Sequence, residues 1–263
     1  MSLRTLGLKA PFAKIFNKPN FDIKPYQTIL DFKNAEESIA NILTRSDQEM
    51  GGYSTVHFDM DPVTHTAKFH GILNLDLPKD KPEVTRSGYA MFRTKDQGEL
   101  WLSGDSYWDW SHYSALVLRV NGDRRKYLVN IQANTPLITD LFQHRLFLNT
   151  PGEWETVVIP LNDFVMTNWG VIQDGSTLNK NEVKTIGIGL LDKQYGPFNL
   201  NIDWIKVMTG EEVERFTQQS RNHQKLSQEF ESDIDAAKES ESPDTKYSAL
   251  RNAKYEEPKT TIF

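Results

Sequence analysis

The stretch ALVLRVNGDRRKYLVNI, residues 115–131, holds the two clearest β-forming runs of the chain. Residues 115–120 and 127–131 are rich in aliphatic and β-branched side chains, which favour strands. Asn121-Gly122-Asp123 lies between the two runs, and Asn-Gly is a turn signal between strands. We therefore predict that these runs pair as antiparallel strands, with a connection longer than a two-residue hairpin.

Similar short runs recur on both sides of this stretch, with turn residues between them. They cover residues 53–58, 67–73, 89–93, 154–160, 185–191 and 198–207. At least seven short strands with few helices predict an all-β fold, a β-sandwich or jelly roll. Residues 26–40 form one amphipathic stretch, whose later part, from Asp31, suits a short N-terminal helix.

The two ends of the chain differ from this β-rich middle. Residues 1–25 carry four basic residues before the first acid, Asp22, which favours a mitochondrial targeting segment or an N-terminal arm. Residues 211–263 are polar and predict a partly helical or disordered extension. We therefore assign residues 26–210 to one β-sandwich domain.

Composition excludes several classes of protein. The 263 residues carry a net charge of −6 and no cysteine. The acidic balance argues against a general nucleic-acid binder. Without cysteine there is no disulfide framework, thiol nucleophile or thiolate metal site. No apolar run is long enough to predict a transmembrane segment. The composition is that of a globular protein of a reducing or organellar compartment.

A search for catalytic motifs finds no constellation that predicts an enzyme, a cofactor or a metal site. Phosphate-binding loops and Gly-x-Ser-x-Gly elbows are missing, and the six histidines are scattered. A carboxylate pair is the one catalytic arrangement left to consider, because jelly rolls host glycoside hydrolases. Its candidates are Glu99, Asp105, Asp109, Glu153 and Asp203.

Aromatic residues crowd into the segment 101–113. Exposed rings can stack on sugars or anchor a protein partner, whereas buried rings fill a core. We expect Trp110 to fill the core, because it leads into the strand at residue 115. Trp101, Tyr107 and Trp108 are the candidate partner-binding residues.

Five blocks of sequence resemble one known family. The main block is Asp109-Trp110-Ser111-x-Tyr113-x-x-Leu116-x-Leu118-Arg119-Val120-x-Gly122-Asp123-x-Arg125, followed by Tyr127-x-Val129-Asn130-Ile131. The others are Ser46-Asp47-x-Glu49-x-Gly51-Gly52-x-Ser54, Thr85-Arg86-Ser87-Gly88-Tyr89, Ile186-Gly187, and Gly196-Pro197-Phe198-x-Leu200-x-Ile202-Asp203-x-Ile205-x-Val207. Together they are similar to the complex I intermediate-associated proteins of about thirty kilodaltons. The chain departs from the family pattern at Arg124, where a second glycine is usual, which bears on the tightness of one turn.

This resemblance implies a galactose-binding-domain-like jelly roll and an assembly-factor role. Members bind a membrane-arm intermediate of mitochondrial NADH:ubiquinone oxidoreductase, together with other assembly factors, and are absent from the finished enzyme. The implied location is the mitochondrial matrix, with peripheral association at the inner membrane. Candidate structural signature residues are Trp110, Arg119, Gly122, Asp123, Asn130 and Asp203.

Three functions from different classes remain open on the sequence. The first is a non-catalytic assembly chaperone, which the family blocks favour. The second is a carbohydrate-binding module, which the aromatic cluster on a jelly roll would suit. The third is an enzyme with a carboxylate pair. Fold alone does not choose among them, because jelly rolls host all three.

Overall fold

A computed structural model describes residues 23–33, 35–96 and 107–222 of the chain. Within these residues, strands dominate and helices are few. The strands are β1 (Tyr26–Asp31), β2 (Ile42–Ser46), β3 (Thr55–Asp61), β4 (Thr66–Leu73), β5 (Ala90–Thr94), β6 (Ala115–Gly122), β7 (Tyr127–Ala133), β8 (Asp140–Arg145), β9 (Glu155–Pro160), β10 (Val165–Asn168), β11 (Val171–Ile172), β12 (Val183–Leu190) and β13 (Gly196–Met208). Helix α1 covers Ala35–Ala40, and short 3₁₀ turns cover Asp47–Met50 and Leu161–Asp163.

These strands form two antiparallel sheets. The six-stranded sheet has the order β3-β4-β13-β6-β9, and β1 pairs with the last part of β13. The seven-stranded sheet has the order β11-β10-β8-β7-β12-β5-β2. The predicted all-β sandwich is confirmed.

One apolar core lies between the sheets, and aromatic rings join them. Phe92 of β5 packs against Phe58 of β3 at 4.8 Å and against Phe69 of β4 at 5.1 Å between ring centroids. Phe69 also contacts Phe198 of β13 at 5.0 Å. Alternate residues of each strand supply this core, which leaves the intervening residues for the outer faces.

The predicted pairing of residues 115–120 with 127–131 is wrong, although both runs are strands. β6 lies in the six-stranded sheet between β13 and β9, whereas β7 lies in the seven-stranded sheet between β8 and β12. Asn121 and Gly122 continue β6 instead of turning, and Asn121 pairs with Asn201 of β13. The connection after Gly122 therefore crosses from one sheet to the other.

The amphipathic stretch 26–40 divides into two elements. The expected helix is present at Ala35–Ala40, but Tyr26–Asp31 forms strand β1 along β13. The pairing places Leu30 opposite Ile205 and buries Leu30 in the core. Strand pairing at the free edge of β13 thus decides the conformation of the first half.

The chain divides after Glu212 into two units, Met1–Glu212 and Val213–Phe263. The sandwich belongs to the first unit. In the second, residues 213–222 are helical, and the remainder of the predicted polar extension lies outside the described residues, as do residues 1–22 of the predicted targeting segment. None of the helices among the described residues combines the length and apolarity needed to cross a bilayer.

Candidate partner-binding surfaces

The structure separates the three aromatic residues expected to bind a partner. Trp101 lies outside the described residues. Tyr107 is half-buried, with Lys184 Nζ 5.6 Å from its ring centroid. Trp108 is also half-buried; its backbone N–H and carbonyl bond with Val183 at 3.0 and 3.1 Å. Their role in partner binding stays a prediction, and Trp108 exposes less surface than that role would favour.

Trp110 lies in the core, as the sequence predicts. Its side chain is fully buried, and its ring stacks on Trp108 with centroids 5.8 Å apart. The backbone N–H of Trp110 donates to the carbonyl of Lys180 at 2.6 Å. The ring is therefore part of the apolar core between the sheets.

Arg119 and Asp203 form an ion pair on the outer face of the six-stranded sheet. Arg119 Nε lies 3.3 Å from Asp203 Oδ2, and the guanidinium lies 5.8 Å from the ring centroid of Trp154. The Arg119 side chain is 43% exposed, so water screens this pair. The contact holds the Arg119 side chain in place on this surface and contributes little to the free energy of unfolding.

Gly122 and Asp123 fix the crossing between the sheets. A Cβ at Gly122 would lie 2.6 Å from a methyl of Leu148 and 2.8 Å from one of Leu200, so the close packing there needs glycine. Asp123 Oδ2 accepts from the Asn199 backbone N–H at 2.7 Å.

The other carboxylate oxygen of Asp123 turns the chain into β7. Asp123 Oδ1 accepts from the Arg125 N–H at 2.9 Å and from the Tyr127 hydroxyl at 3.1 Å. Burial raises the pKa of the Tyr127 phenol, so it remains a donor. Arg124 has an ordinary negative φ, and the turn does not require the glycine usual in the family pattern.

Arg125 is the centre of a buried polar cluster that the sequence did not predict. Its Nε and one terminal nitrogen bind both carboxylate oxygens of Asp192, at 2.7 and 2.9 Å. Only 9% of the Arg125 side chain and 0% of the Asp192 side chain are exposed. The guanidinium also donates to the carbonyls of Gln194, Gly196 and Pro197. This single side chain therefore fixes the β12–β13 loop.

Asp47 anchors a second buried cluster, which joins two of the family blocks. Its carboxylate accepts from the Ser54 N–H at 2.9 Å, the Ser54 hydroxyl at 2.7 Å and the Gly88 N–H at 2.6 Å. Gly88 has φ +83°, a conformation that favours glycine. The Ser46–Ser54 and Thr85–Tyr89 blocks thus meet at one carboxylate.

A groove lies beside both clusters. It has a volume of about 520 Å³ and is lined by Tyr53, Asn74, Asp76, Leu77 and Lys79. The Asn74 N–H donates to the Ser54 hydroxyl at 3.0 Å, and the Asn74 side chain reaches the Tyr195 hydroxyl at 3.4 Å. The Asp47 and Arg125 clusters therefore hold the loops that border this groove.

Asn130, another signature residue, faces away from the core. Its Oδ1 accepts from Gln143 Nε2 at 2.7 Å, and Gln143 Oε1 accepts from the Thr167 hydroxyl at 2.8 Å. Its side-chain position is opposite to that of its neighbours Val129 and Ile131, which belong to the core. Asn130 thus belongs to a polar row on the outer face of the seven-stranded sheet.

Five exposed apolar residues lie near the β11 edge of the seven-stranded sheet, in the β10–β11 hairpin and in the loop before β8, and the two residues of β11 face opposite sides of the sheet. Trp169 is 76% exposed and Ile138 is 85% exposed, and Leu137, Val171 and Ile172 are each more than half exposed. We call these five residues the apolar patch. The sequence does not predict this patch, because residues 165–172 form only a four-residue and a two-residue strand. The available signal was Trp169-Gly170 between two short β-forming runs.

The apolar patch is held rigidly. Trp169 and Gly170, with φ +50° and +75°, are the central residues of a two-residue turn between β10 and β11. Positive φ is unfavourable for a bulky residue such as tryptophan. The Asn168 amide donates to Thr139 Oγ1 and Asp140 Oδ1, both at 2.8 Å, and so ties the turn to the loop that carries Ile138.

The carboxylate-pair candidates show structural contacts. Asp109 accepts from the Ser111 N–H at 2.9 Å, and the Ser111 hydroxyl and N–H hold the pKa of Asp109 below its usual value. Asp203 pairs with Arg119, and Glu153 is exposed. Glu99 and Asp105 lie outside the described residues.

Two of the six scattered histidines, His57 of β3 and His70 of β4, lie opposite each other, a pairing that the sequence did not predict. The rings of His57 and His70 stack at 5.4 Å, and His70 Nε2 lies 2.6 Å from Asp59 Oδ2. Within residues 23–33, 35–96 and 107–222, no three histidine or carboxylate side chains are placed to hold a metal ion.

Comparison with known proteins identifies the family to which this chain is similar. The family model described as Complex I intermediate-associated protein 30 (CIA30) matches residues 30–202. A Neurospora crassa protein named "Complex I intermediate-associated protein 30, mitochondrial" is 37% identical over 190 residues, which cover 64% of this chain and 68% of the relative. Proteins of the same name from Mus musculus and Drosophila melanogaster are 32% and 30% identical, over 70% and 71% of this chain. The matches span 56% and 65% of those two relatives.

The solved structures that match share little sequence with this chain. A family 11 carbohydrate-binding module from Clostridium thermocellum has a TM-score of 0.49 and 15% identity, covering 70% of this chain and 95% of the module. A family 30 carbohydrate-binding module has a TM-score of 0.41 and 13% identity, covering 63% of this chain and 80% of the module.

The family match over residues 30–202 confirms the resemblance seen in the sequence blocks. The chain belongs to the Complex I intermediate-associated protein 30 family.

Proposed function

We propose that this chain is a non-catalytic assembly factor that binds a membrane-arm intermediate of mitochondrial respiratory complex I. It acts with other assembly factors and is absent from the finished enzyme. Its proposed location is the mitochondrial matrix, in peripheral contact with the inner membrane. The names of the relatives support association with a complex I intermediate and a mitochondrial location.

The observation that carries this proposal is the apolar patch. A partly assembled membrane protein exposes apolar surface that its missing subunits will later cover, and a complementary apolar surface can hold it in the meantime. Tryptophan is enriched at the energetic centre of protein interfaces, and the apolar neighbours of Trp169 would help to exclude water there. The strained Trp169 turn supports the same role, because backbone strain concentrates at functional positions.

The test replaces Trp169 with asparagine. Trp169→Asn creates an Asn-Gly turn, which suits the observed positive φ angles, so we expect the free energy of unfolding to rise by about 1 kcal/mol. The same substitution removes the central ring of the apolar patch, and we expect recovery of the intermediate to fall at least tenfold. If Trp169→Asn is more stable than wild type and still loses the intermediate, the loss of binding cannot be due to unfolding.

The measurement is co-purification from mitochondria that carry only the variant, with complex I assembly followed on native gels. Val63→Asn is the matched control, because Val63 is 84% exposed and lies in the turn between β3 and β4. The wild-type protein should co-purify with a membrane-arm intermediate and be missing from finished complex I, and loss of the chain should leave that intermediate stalled. Wild-type protein found in the finished enzyme, or normal assembly without the chain, would refute the proposed function. Normal recovery with Trp169→Asn would refute the role of the apolar patch.

Carbohydrate binding is the second candidate, and the groove is the observation that favours it. Tyr53 offers an aromatic surface next to the side chains of Asn74 and Asp76. Sugars are bound by such rings together with amide and carboxylate groups. A glycan array with wild-type protein, Tyr53→Ala and Trp108→Ala tests this candidate, and binding to no sugar class would remove it.

A further inference from the structure

A polar trough crosses the outer face of the seven-stranded sheet. The strand register places Arg93 of β5 opposite Gly187 of β12, Gly187 opposite Asn130 of β7, and Asn130 opposite Gln143 of β8. Their neighbours along each strand, such as Phe92, belong to the core, so these four positions face outward. Two of them, Asn130 and Gly187, occur in the family blocks. The close approach of the β5 backbone requires glycine at 187, whereas packing of the core does not account for Asn130.

Two glycines form the floor of this trough. A Cβ at Gly189 would lie 3.0 Å from Asn130 Nδ2, whereas a Cβ at Gly187 would overlap the backbone carbonyl of Phe92 in β5. Because the Asn130 side chain is recessed and its Oδ1 is held by Gln143, the orientation of its amide is fixed. Among the described residues, Asn130 Nδ2 has no acceptor. The amide therefore presents a hydrogen-bond donor to the trough.

Positive charge surrounds the trough. Arg45 lies opposite Met91 on the same face, and Arg145 lies opposite Leu128. Within the described ranges, Arg45 pairs with Glu49 at 3.4 Å, and neither Arg93 nor Arg145 forms an ion pair. The Arg93 guanidinium donates to the carbonyl of Thr94 at 3.1 Å, and the Arg145 guanidinium lies 4.9 Å from the ring centroid of Phe147, so both keep a net positive charge. A cluster of arginines in a protein of net charge −6 favours an anionic ligand at this face.

We propose that this trough binds an extended acidic segment of a protein partner. Arginine guanidiniums pair with carboxylates in a planar, two-point geometry. Asn130 Nδ2 donates to a backbone carbonyl of the segment, and the glycine floor allows that backbone to approach the sheet. The site is distinct from the apolar patch, and the inference does not require the partner to be a complex I intermediate.

The experiment measures binding of labelled peptides to the full chain by fluorescence polarisation. The probe is an alternating Glu-Gly decapeptide, and its counterpart is an alternating Lys-Gly decapeptide. The acidic peptide should bind more tightly, and its affinity should fall as salt rises. Arg93→Gln and Arg145→Gln should each weaken binding about tenfold, the loss expected for one charge-assisted hydrogen bond.

Arg124→Gln is the matched control, because it removes the same charge from an exposed residue of the β6–β7 connection. It should bind the acidic peptide like wild type. Gly189→Ala tests the floor without changing charge and should also weaken binding. Circular dichroism checks that each variant is folded. If Arg93→Gln in β5 or Gly189→Ala in β12 disturbs the sheet, Arg145→Gln at the end of β8 still tests the proposal.

Three outcomes would overturn the proposal. The first is equal affinity for the acidic and basic peptides. The second is unchanged binding when both Arg93 and Arg145 are replaced. The third is displacement of the acidic peptide by a neutral oligosaccharide or by inorganic phosphate at equal concentration, which would assign the trough to a different ligand class. None of these results would alter recovery of the intermediate through Trp169, so the two proposals fail separately.

Discussion

Replacing Asp192 with alanine tests whether the buried Arg125 cluster holds the β12–β13 loop in place. The substitution removes both carboxylate oxygens that bind Arg125 at 2.7 and 2.9 Å. It leaves the guanidinium of Arg125, whose side chain is 9% exposed, without a counter-charge. An unpaired buried charge is far more costly than a missing surface contact.

The expected loss in the free energy of unfolding is about 3 kcal/mol. Breaking a buried ion pair by removing one partner costs about 3–5 kcal/mol. The lower end applies here, because Arg125 keeps hydrogen bonds to the carbonyls of Gln194, Gly196 and Pro197.

Asp203→Ala is the matched comparison. It also removes the carboxylate partner of an arginine, Arg119, at an Nε–Oδ2 distance of 3.3 Å. Since Arg119 is 43% exposed, the expected loss is below about 1 kcal/mol. The difference between the two substitutions isolates the effect of burial.

Urea unfolding followed by circular dichroism measures both losses, with equal m-values as the condition for comparing them. A double-mutant cycle with Arg125→Met adds the coupling energy. Arg125→Met with Asp192→Ala should cost less than the sum of the single substitutions by about 2 kcal/mol, because the double variant has no unpaired charge. A loss below about 1 kcal/mol for Asp192→Ala, or additive single effects, would refute the account of this cluster.

Three further predictions concern turns and buried polar groups. Ser111→Ala should return the pKa of Asp109 toward 3.8 in a carboxyl-carbon NMR titration, because the Ser111 donors hold it low. Since the folded pKa lies below the unfolded one, Asp109 stabilises the fold above about pH 4. This stability is lost as the pH falls through the folded pKa, and Ser111→Ala should reduce that loss. Gly88→Ala should lower the free energy of unfolding by about 2 kcal/mol, because φ is +83° and the new Cβ would collide with a Leu75 methyl. Asp47→Asn should cost about 2–3 kcal/mol in urea unfolding, because the new NH₂ group meets N–H and O–H donors that the carboxylate accepted. An unchanged Asp109 titration, or unfolding midpoints equal to wild type for the other two, would contradict these assignments.

Strand positions were predictable because each strand carries its signal in a few neighbouring residues. The runs at 115–120 and 127–131 are strands β6 and β7, as their composition indicates. Their partners were not predictable, because pairing depends on residues far along the chain. β6 pairs with β9 and β13, more than thirty residues away. The Asn-Gly signal favours a hairpin only where the flanking strands have no better partners.

Among the candidate sites, too, residues with a local signal were predictable and residues whose role depends on distant segments were not. Trp110 was assigned to the core from its place before β6, and the structure agrees. The apolar patch was missed, because the exposure of Ile138 and Trp169 depends on which strands cover them. The Arg125–Asp192 pair was not predictable either, because 66 residues separate the two side chains and Asp192 lies outside the family block that contains Arg125.

The sequence by itself determined that this protein is a cysteine-free β-sandwich of the Complex I intermediate-associated protein 30 family. Composition, short β-forming runs and family blocks are properties of neighbouring residues, and each can be read without knowing the fold. Only the tertiary structure decided which sheet holds each strand, which carboxylates are buried, and where apolar and basic side chains gather at the surface. Those features arise when distant segments come together, and the burial that results sets the strength of each charge pair and the exposure of each ring.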